Sequence, residues 1–449
     1  MIRTKRHVRR PAPKRKTSRV LPQEALGYRA GYRDGYAQGE AAGFGSYSIH
    51  YDGTSIVIPA RNQRKELERC LNGIWDHTDL PYEIIVVDAG SEDGTDLYLE
   101  RLAGQIRCKR LEKGSGRAAA VNEGLKMAKG TTIAVLDSRS SVKEGWLAAL
   151  LNALMSDERV GMAGPAPNTR ESVQRPGAGG ESAREGGTGI SSGGSAWIGA
   201  DSLGSFCIVF RRELWEKTGY WDERFDAGSF DVEDYCIRAR LQGRKLLIAN
   251  DADVRLMPAG ESGGFGEGDA EAATANMLRF MNKWKNPNEL LHYIQSDVRN
   301  VSGRPSDDEA EPKGESAFYP QGVAVKGIGR TVYGIDRNRR RPIEGECPLP
   351  VATVSNADLR RWERGHPIAA VEFGSQRAGD YAPHGLKTLA PDGVAYYLEY
   401  GIRRRILSDA ASQAWGLDGK PEVPWTEDFI AELPEGLPII PPASVHGSL

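Results

Sequence analysis

Continuous apolar runs alternate with amphipathic segments along the first half of the chain. The runs predict three strands and the segments three helices, which in chain order are 54–60, 65–77, 83–90, 95–102, 117–128 and 131–137. Uninterrupted apolar strands are typical of parallel sheets that are covered on both faces. The alternation therefore predicts an α/β fold with right-handed crossovers and a doubly wound sheet. Ligands of such sheets bind beyond the carboxyl ends of the strands.

A flexible, glycine-rich loop is predicted over residues 169–196. Regular structure resumes after it with a strand, a helix, an acidic segment and another strand, at 205–210, 213–218, 230–243 and 245–249. A polar, charge-dense stretch with prolines at 303–316 then indicates a linker. We assign residues 51–300 to the α/β domain and residues 301–325 to the linker.

The last part of the chain, residues 326–449, contains an internal repeat. Residues 331–368 match residues 394–439, and each copy has a β-run with tyrosine, a turn into a basic triplet, a Val-x-Thr or Val-Pro-Trp-Thr strand, a short helix and a final Pro-Ile. Copies of roughly 45 residues are short for independent folding, so we expect a packed, β-rich pair. We expect this pair to fold separately, so that a chain ended near residue 300 stays soluble and binds nucleotide.

Charge is balanced over the whole chain but clustered locally. The 59 Lys and Arg residues against 61 Asp and Glu exclude a whole-protein electrostatic attraction to nucleic acid. Residues 1–19 hold nine Lys or Arg and no acid, which favours either a solvated tail or attraction to an anionic membrane surface or polyanion. The basic triplets 339–341 and 403–405 are either solvated hairpin edges or a site for an anionic polymer.

The segment before the α/β domain, residues 1–50, joins this basic tail to a glycine and tyrosine repeat. Five glycines recur at every fourth position from Gly27 to Gly43, which suits either a helix docked on a partner surface or a linker. No apolar signal region follows the basic tail, and no run approaches the roughly 18 residues of a membrane span. We expect a cytoplasmic protein with peripheral membrane contact through its basic N-terminus.

Candidate ligand-binding side chains lie where the predicted strands end. A nucleotide-diphosphate sugar needs an acidic residue for its base or ribose, positive charge over its diphosphate, and a base for the acceptor hydroxyl. Asp88 ends the second strand and Asp137 the third. The turn after the first strand and the segment around the third helix contribute further candidates, namely Pro59, Arg61, Asn62, Lys113, Arg117 and Asn122. Of these, Lys113 and Arg117 are expected near the phosphates.

The ordered series IVIPARN, IIVVDAGSEDGT, GRAAAVNEGLKMAKG and LDSR resembles the family 2 glycosyltransferases of GT-A fold, especially the bacterial rhamnosyltransferase-like and spore-coat-type members. The resemblance continues through FDVEDYCIRARLQG and covers residues 52–285. It implies an inverting transfer of a sugar from a nucleotide-diphosphate donor to a hydroxyl of a glycan, lipid-linked or protein acceptor. It also implies an acidic general base and a divalent metal, Mg or Mn, on an Asp-x-Asp motif that stabilises the leaving diphosphate.

Three segments depart from the pattern of this family. After the strand at 245–249, where many members carry histidines near the metal, this chain has Arg255-Leu256-Met257. The metal motif reads Asp137-Ser138-Arg139, so a cation stands where the principal metal-binding carboxylate belongs, and Asp137 is the one implied metal ligand left. The acidic motif reads Asp231-Val232-Glu233-Asp234, with valine at the position of the base.

Two hypotheses follow from these departures. In an active, metal-independent transferase, Arg139 takes over the metal's electrostatic role, since a guanidinium binds phosphate bidentately, and Glu233, with Asp231 or Asp234, is the base. In a catalytically silent GT-A domain, the chain instead binds a nucleotide, a glycan or a partner protein. A dinucleotide-dependent dehydrogenase is disfavoured because no G-x-G-x-x-G follows the first strand.

Overall fold

The structure, a computed structural model, describes residues 50–168, 196–225, 230–258, 264–265, 270–297, 310–375 and 383–445. The predicted basic tail and glycine repeat, up to residue 49, and nearly all of the predicted glycine-rich loop lie outside the described residues. No helix in the described ranges is long and apolar enough to cross a membrane.

The first part of the chain, up to residue 297, alternates strands and helices. Its strands are β1 (Tyr51–Ala60), β2 (Tyr82–Asp88), β3 (Arg107–Arg110), β4 (Gly130–Leu136), β5 (Ser140–Val142), β6 (Val160–Pro165), β7 (Trp197–Ala200), β8 (Cys207–Arg211), β9 (Lys245–Ala249) and β10 (Val254–Leu256). Its helices are α1 (Arg64–His77), α2 (Thr95–Arg101), α3 (Arg117–Met127), α4 (Trp146–Met155), α5 (Arg212–Thr218), α6 (Asp231–Leu241), α7 (Ala270–Trp284) and α8 (Pro287–Asp297). The three strands and three helices predicted before residue 140 are all present.

Eight of these strands form one sheet in the order β3-β2-β1-β4-β8-β6-β9-β7. β1 is parallel to β2 and β4, and β2 is parallel to β3, as the apolar runs predict. β8 is antiparallel to β4 and to β6, so the sheet is mixed rather than parallel throughout. The parallel half places the carboxyl ends of β1, β2 and β4 at one edge of the sheet, which we call the carboxyl edge.

Both faces of the sheet are covered, which explains why its strands are apolar at every position. Ile56 and Ile58 of β1 belong to a core with helices α1 and α4. Val57, which points to the other face, belongs to a core with α3 and α6. Helix α3 crosses β1 so closely at Gly124 that a Cβ there would overlap the Val57 side chain. The side chains of β1 therefore fix the position of α3 against the sheet.

The second part of the chain, from residue 310, is β-rich. Its strands are β11 (Ala324–Lys326), β12 (Tyr333–Asp336), β13 (Arg339–Glu344), β14 (Val351–Thr353), β15 (Glu363–Arg364), β16 (Ile368–Ala369), β17 (Leu386–Leu389), β18 (Ala395–Glu399) and β19 (Ile402–Arg405). Its helices are α9 (Asn356–Arg361), α10 (Ala370–Ser375) and α11 (Asp409–Trp415), with 3₁₀ turns at Gly314–Phe318 and Leu417–Gly419. Strands β11-β12-β13 and β17-β18-β19 form two antiparallel meanders.

The two meanders repeat the same contacts at matching positions. In the hairpin β12-β13, Arg341 pairs with Asp336 at 3.0 Å, and in β18-β19, Arg404 pairs with Glu399 at 3.0 Å. Both hairpins turn through two residues with left-handed backbone, as two-residue hairpin loops require, and these are Arg337, Asn338, Tyr400 and Gly401. Arg341 and Arg404 of the basic triplets are thus engaged within the β-rich part.

A short helix follows each meander, and in the second copy it is not the predicted one. Ser355 caps α9 and Ser408 caps α11, each through its side-chain oxygen. The sequence match places the second helix after Thr426, but residues 427–432 form turns. The prediction is wrong because the sequence match paired α9 with a later segment and overlooked the Ser-x-Ala-x4-Trp spacing that 355–362 and 408–415 share.

The described residues of the predicted linker pack against the first part of the chain, which disfavours the predicted separate folding of the repeats. Phe318 and Trp415 of the second part share one buried core with Ile237 of α6 and Trp284 of α7. Within the predicted linker, Glu315 is 1% exposed and pairs with Arg238 of α6 at 2.6 Å. Within this stretch Glu315 thus forms a buried ion pair, whereas Lys313 is exposed. A chain ended near residue 300 would leave this core open.

Candidate active site

Two turns at the carboxyl edge are joined to each other by hydrogen bonds. Asn62, after β1, has left-handed backbone with φ of 53°. Its backbone N–H donates to Ser91 Oγ at 2.9 Å, and its side-chain oxygen accepts from the Glu92 N–H at 2.8 Å. Arg61 donates to the carbonyl oxygen of Gly264 at 2.9 Å, whereas Pro59 is buried within β1. Asn62 therefore holds the turn after β1 against the turn after β2.

Asp88 ends β2 with one buried oxygen that lacks a hydrogen bond. Its Oδ1 accepts from the Ser91 N–H at 2.9 Å, which shapes the turn. Its Oδ2 has no hydrogen-bond partner among the described residues, and Arg110 Nε lies 3.5 Å away. Buried acceptors are nearly always satisfied in native structures, so this oxygen has capacity for a ligand N–H or O–H. Sequence reasoning missed Arg110, whose position in β3 beside Asp88 depends on strand pairing.

Asp137 and Arg139 form an ion pair with each other just after β4. Asp137 Oδ1 accepts from the backbone N–H of Arg139 at 2.8 Å and from its Nε at 3.2 Å. Across the described residues, no group of three potential acidic, histidine or cysteine ligands could hold a metal ion. A cation that already neutralises Asp137 would repel a divalent ion, so these residues do not fit the metal that the family resemblance implies.

The first two residues of the acidic motif lie at the start of α6. Asp231 pairs with Arg117 at 2.6 Å, and Arg117 also donates to the Ser205 carbonyl at 2.6 Å. Val232 is fully buried in the core beneath the sheet. Arg117 was expected near the phosphates, but its buried guanidinium is instead the counter-charge of Asp231. Valine at the position of the base packs as an ordinary core residue.

Among the described residues, Glu233 is a buried carboxylate of α6 without an ion-pair partner. Its side chain is 3% exposed, and Oε2 has no hydrogen-bond partner within the described part of the chain. Burial, followed by repulsion from Asp231, raises the pKa of Glu233 to about 8. A carboxyl group whose pKa lies near neutrality can exchange a proton with a substrate.

Asp234 belongs to a buried ionic network rather than to an open site. Its Oδ1 accepts from Trp284 Nε1 at 2.8 Å and pairs with Lys283 of α7. Lys283 also pairs with Asp222 at 2.8 Å, and Arg238 Nη1 lies 3.7 Å from Asp234 Oδ2. Burial raises the pKa of Asp234. These contacts join α6 to α7 and disfavour Asp234 as the base.

Asn122 and Lys113 also differ from the expected donor contacts. Asn122 is fully buried, where its amide donates to the Trp221 carbonyl at 2.9 Å and to Glu223 at 2.8 Å. It therefore ties α3 to the segment before α6 and is not available to a donor. Lys113 is exposed at the carboxyl edge and pairs with Glu92 at 2.9 Å, a contact that a phosphate can replace.

Comparisons with known proteins match the first part of the chain. Residues 55–216 match the family model described as Glycosyl transferase family 2. The chain is 31% identical over 98 residues to glycosyltransferase AglE of Haloferax volcanii, covering 21% of this chain and 32% of the relative. It is 34% identical over 104 residues to a putative teichuronic acid biosynthesis glycosyltransferase of Bacillus subtilis, covering 22% and 41%.

The chain spans about a third to two-fifths of the length of these relatives. Among solved structures, it is similar to GalNAc-T7 with UDP, GalNAc and Mn²⁺, with a TM-score of 0.41 and 16% identity over 55% of this chain and 51% of that chain. Residues 55–216 form a family 2 glycosyltransferase domain, as the sequence motifs predict. The predicted α/β domain, followed by a smaller β-rich part, is confirmed.

Proposed function

We propose that this domain transfers a sugar, with inversion, from a nucleotide-diphosphate donor to a hydroxyl group of a glycan acceptor. The observation that carries the proposal is the buried, unsatisfied Oδ2 of Asp88 at the carboxyl edge. A ribose hydroxyl or a base N–H would satisfy it. A glycan acceptor is supported by the relative named for teichuronic acid biosynthesis. The cytoplasmic, membrane-peripheral location remains a prediction.

In the proposed reaction, the acceptor oxygen forms a bond to the anomeric carbon and its proton passes to a base. The bond from that carbon to the diphosphate breaks, and its electron pair leaves with the nucleoside diphosphate. Arg139, which lies just after β4, is the proposed cation that stabilises the negative charge on this leaving group. Its guanidinium, 11% exposed, is oriented by Asp137.

The proposed base is Glu233. Of the three carboxylates in the motif, Asp231 pairs with Arg117 and Asp234 with Lys283, so Glu233 is the carboxylate of the three without an ion pair among the described residues. Because Glu233 is 3% exposed, the proposal requires that acceptor binding opens access to it.

The transfer function is tested with a panel of UDP-, GDP- and dTDP-sugars, measured by thermal shift and by product release with and without EDTA. A cognate donor stabilises the folded chain in proportion to its concentration over its Kd. Release of nucleoside diphosphate that depends on an added acceptor supports a transferase. A panel in which no donor shifts the melting temperature contradicts the proposal.

Asp88→Ala is expected to weaken donor binding by about 1.5–3 kcal/mol, the range for hydrogen bonds to a charged group. Calorimetry with the cognate nucleotide measures the change. Asp96→Ala is the matched control, because Asp96 also pairs with Arg110, at 2.6 Å, but on the surface. Equal affinities for the wild type and Asp88→Ala would show that Asp88 does not contact the donor.

Glu233→Gln is expected to lower the transfer rate by about 10²–10⁴-fold while leaving donor affinity unchanged. The base acts as a carboxylate, so the wild-type rate should rise with pH up to about 8, the pKa of Glu233, and then level off. Exposed Glu158→Gln should keep both rate and profile. A wild-type profile without this rise, or a Gln variant with full activity, assigns the base elsewhere.

The same residue predicts a pH dependence of stability. The raised pKa means that the folded state binds more protons than the unfolded state between pH 4.5 and about 8, so the free energy of unfolding falls as pH rises through this window. Glu233→Gln should lose that part of the dependence, which denaturant unfolding at several pH values measures.

The silent-domain hypothesis is favoured by one observation, the full burial of Val232 at the position of the base. It predicts metal-free donor binding without turnover of any donor and acceptor pair. The Glu233→Gln variant would then match the wild type in every activity assay.

A further inference from the structure

A large cleft opens at the opposite end of the sheet from the carboxyl edge. It has a volume of about 1050 Å³, and its walls come from both parts of the chain. His50 precedes β1, Lys129 precedes β4 and Arg212 follows β8, so one wall is the amino edge of the sheet. The other wall includes Lys313 and Arg360 of the β-rich part. We call this space the rear cleft.

The rear cleft is strongly basic. Eight Lys or Arg side chains and His50 line it, against three glutamates. Burial and then the charge of Arg212 lower the pKa of His50. Burial, and then the charges of Arg107 and Arg212, lower the pKa of Lys129. Glu213 pairs with Lys217 at 2.6 Å and lies 3.5 Å from Arg244, so the glutamates offset part of the charge, but the eight Lys and Arg side chains still outnumber them.

Three buried N–H donor atoms in the wall of the cleft, on two side chains, lack acceptors among the described residues. Arg361 is 4% exposed on its side chain and pairs through Nη1 with Asp358 at 2.6 Å. Its Nε and Nη2, and the indole N–H of Trp215, have no hydrogen-bond partner in the part of the chain that the structure describes. Leaving buried donors unpaired costs free energy, which an acceptor from a ligand would recover.

The shape and composition of the cleft narrow the class of ligand. Its volume is at the upper end of the roughly 300–1,000 Å³ of small-molecule sites, so it suits a molecule of several rings. Trp215 and Tyr220 lie in its wall with ring centroids 5.7 Å apart. Arg212 lies over the Trp215 ring, 5.3 Å from its centroid, and the part of the half-buried indole that stays exposed can pack against a sugar ring. Arginine forks match carboxylate and phosphate groups.

We infer that the rear cleft binds an anionic oligosaccharide at a site separate from the transfer reaction. The seven residues of β4 place it roughly 20 Å from the carboxyl edge. The inference rests on the proposed function, because a domain that extends a glycan would contact that glycan at two places. The growing end of the glycan would lie at the carboxyl edge, and the rear cleft would hold sugar residues further from that end.

The test is calorimetry of the full chain with a hyaluronan hexasaccharide, which carries carboxylates, and with neutral maltohexaose. The double variant Lys217→Glu, Arg360→Glu reverses one charge on each wall of the cleft. The double variant Lys143→Glu, Arg330→Glu makes the same change of charge at exposed positions outside it. Donor binding is measured on all three proteins.

We expect the wild type and the control variant to bind the hyaluronan oligosaccharide, more weakly as salt is raised, and maltohexaose to bind far less. The cleft variant should lose about tenfold or more in affinity, the effect of removing charged hydrogen bonds. Donor binding should be equal in all three proteins.

The inference is overturned if the wild type does not bind the hyaluronan oligosaccharide or if the cleft variant binds it as tightly as the wild type does. It is also overturned if the wild type binds maltohexaose as tightly as the hyaluronan oligosaccharide. Displacement by saturating nucleotide also overturns it, because the oligosaccharide would then occupy the carboxyl edge. If the oligosaccharide binds but no donor does, the rear cleft is supported as an oligosaccharide site and the proposed sugar transfer is contradicted.

Discussion

Glu315→Ala is expected to lower the free energy of unfolding by about 3–5 kcal/mol, because it leaves buried Arg238 without its main counter-charge. Glu315 holds Arg238 through two hydrogen bonds of 2.6 and 2.8 Å, and its Oε2 also accepts from Tyr319 at 3.0 Å. All three side chains are buried. The loss is measured by denaturant unfolding, and donor addition should not restore it fully.

Glu363→Ala is the matched control for this variant. Glu363 pairs with Lys313 at 3.2 Å, but both side chains are more than half exposed, so its removal should cost under about 1 kcal/mol. A chain ended near residue 300 is the extreme case, since it removes Glu315 together with the second half of the shared core. It should aggregate. A soluble, nucleotide-binding fragment, or equal effects of the two alanine variants, would contradict the joint core.

Arg139→Ala is expected to reduce transfer by about 10²–10³-fold, the usual cost of removing a group aimed at developing charge. Donor binding and transfer by the wild type should survive EDTA, because Arg139 and not a metal provides the positive charge. Arg139→Asp should create a dependence on added Mn²⁺, since it places a second carboxylate beside Asp137. Product release with and without EDTA measures all three effects.

Arg159→Ala is a close control, because the chain repeats the same local geometry on its surface. Arg159 donates its backbone N–H and its Nε to Asp157 Oδ1 at 2.9 and 3.4 Å, as Arg139 does to Asp137. Its loss should leave transfer unchanged. Wild-type protein that needs Mn²⁺ for nucleotide affinity would refute the role of Arg139, whereas metal-free binding without turnover would favour the silent domain.

The sequence by itself determined the strands, helices and family of the first part. Buried parallel strands need apolar residues on both faces, so 54–60, 83–90 and 131–137 are recognisable without their neighbours. It also determined which polar residues follow the strands, because Asp88 and Asp137 are adjacent to those runs. These properties depend on residues close together along the chain.

The tertiary structure alone decided which charged residues pair. Arg117 pairs with Asp231, 114 positions further along the chain, and Arg238 pairs with Glu315, 77 positions further along. Both pairs bury residues that look solvent-facing or catalytic in the sequence. The charge-dense stretch around Glu315 has the composition of a linker, and only the burial of Glu315 shows that this part of the chain belongs to the core. Composition states that a side chain is charged, whereas its pairing depends on which distant segment the core brings to it. For that reason the sequence predicted the fold of this domain more completely than the roles of its ionisable residues.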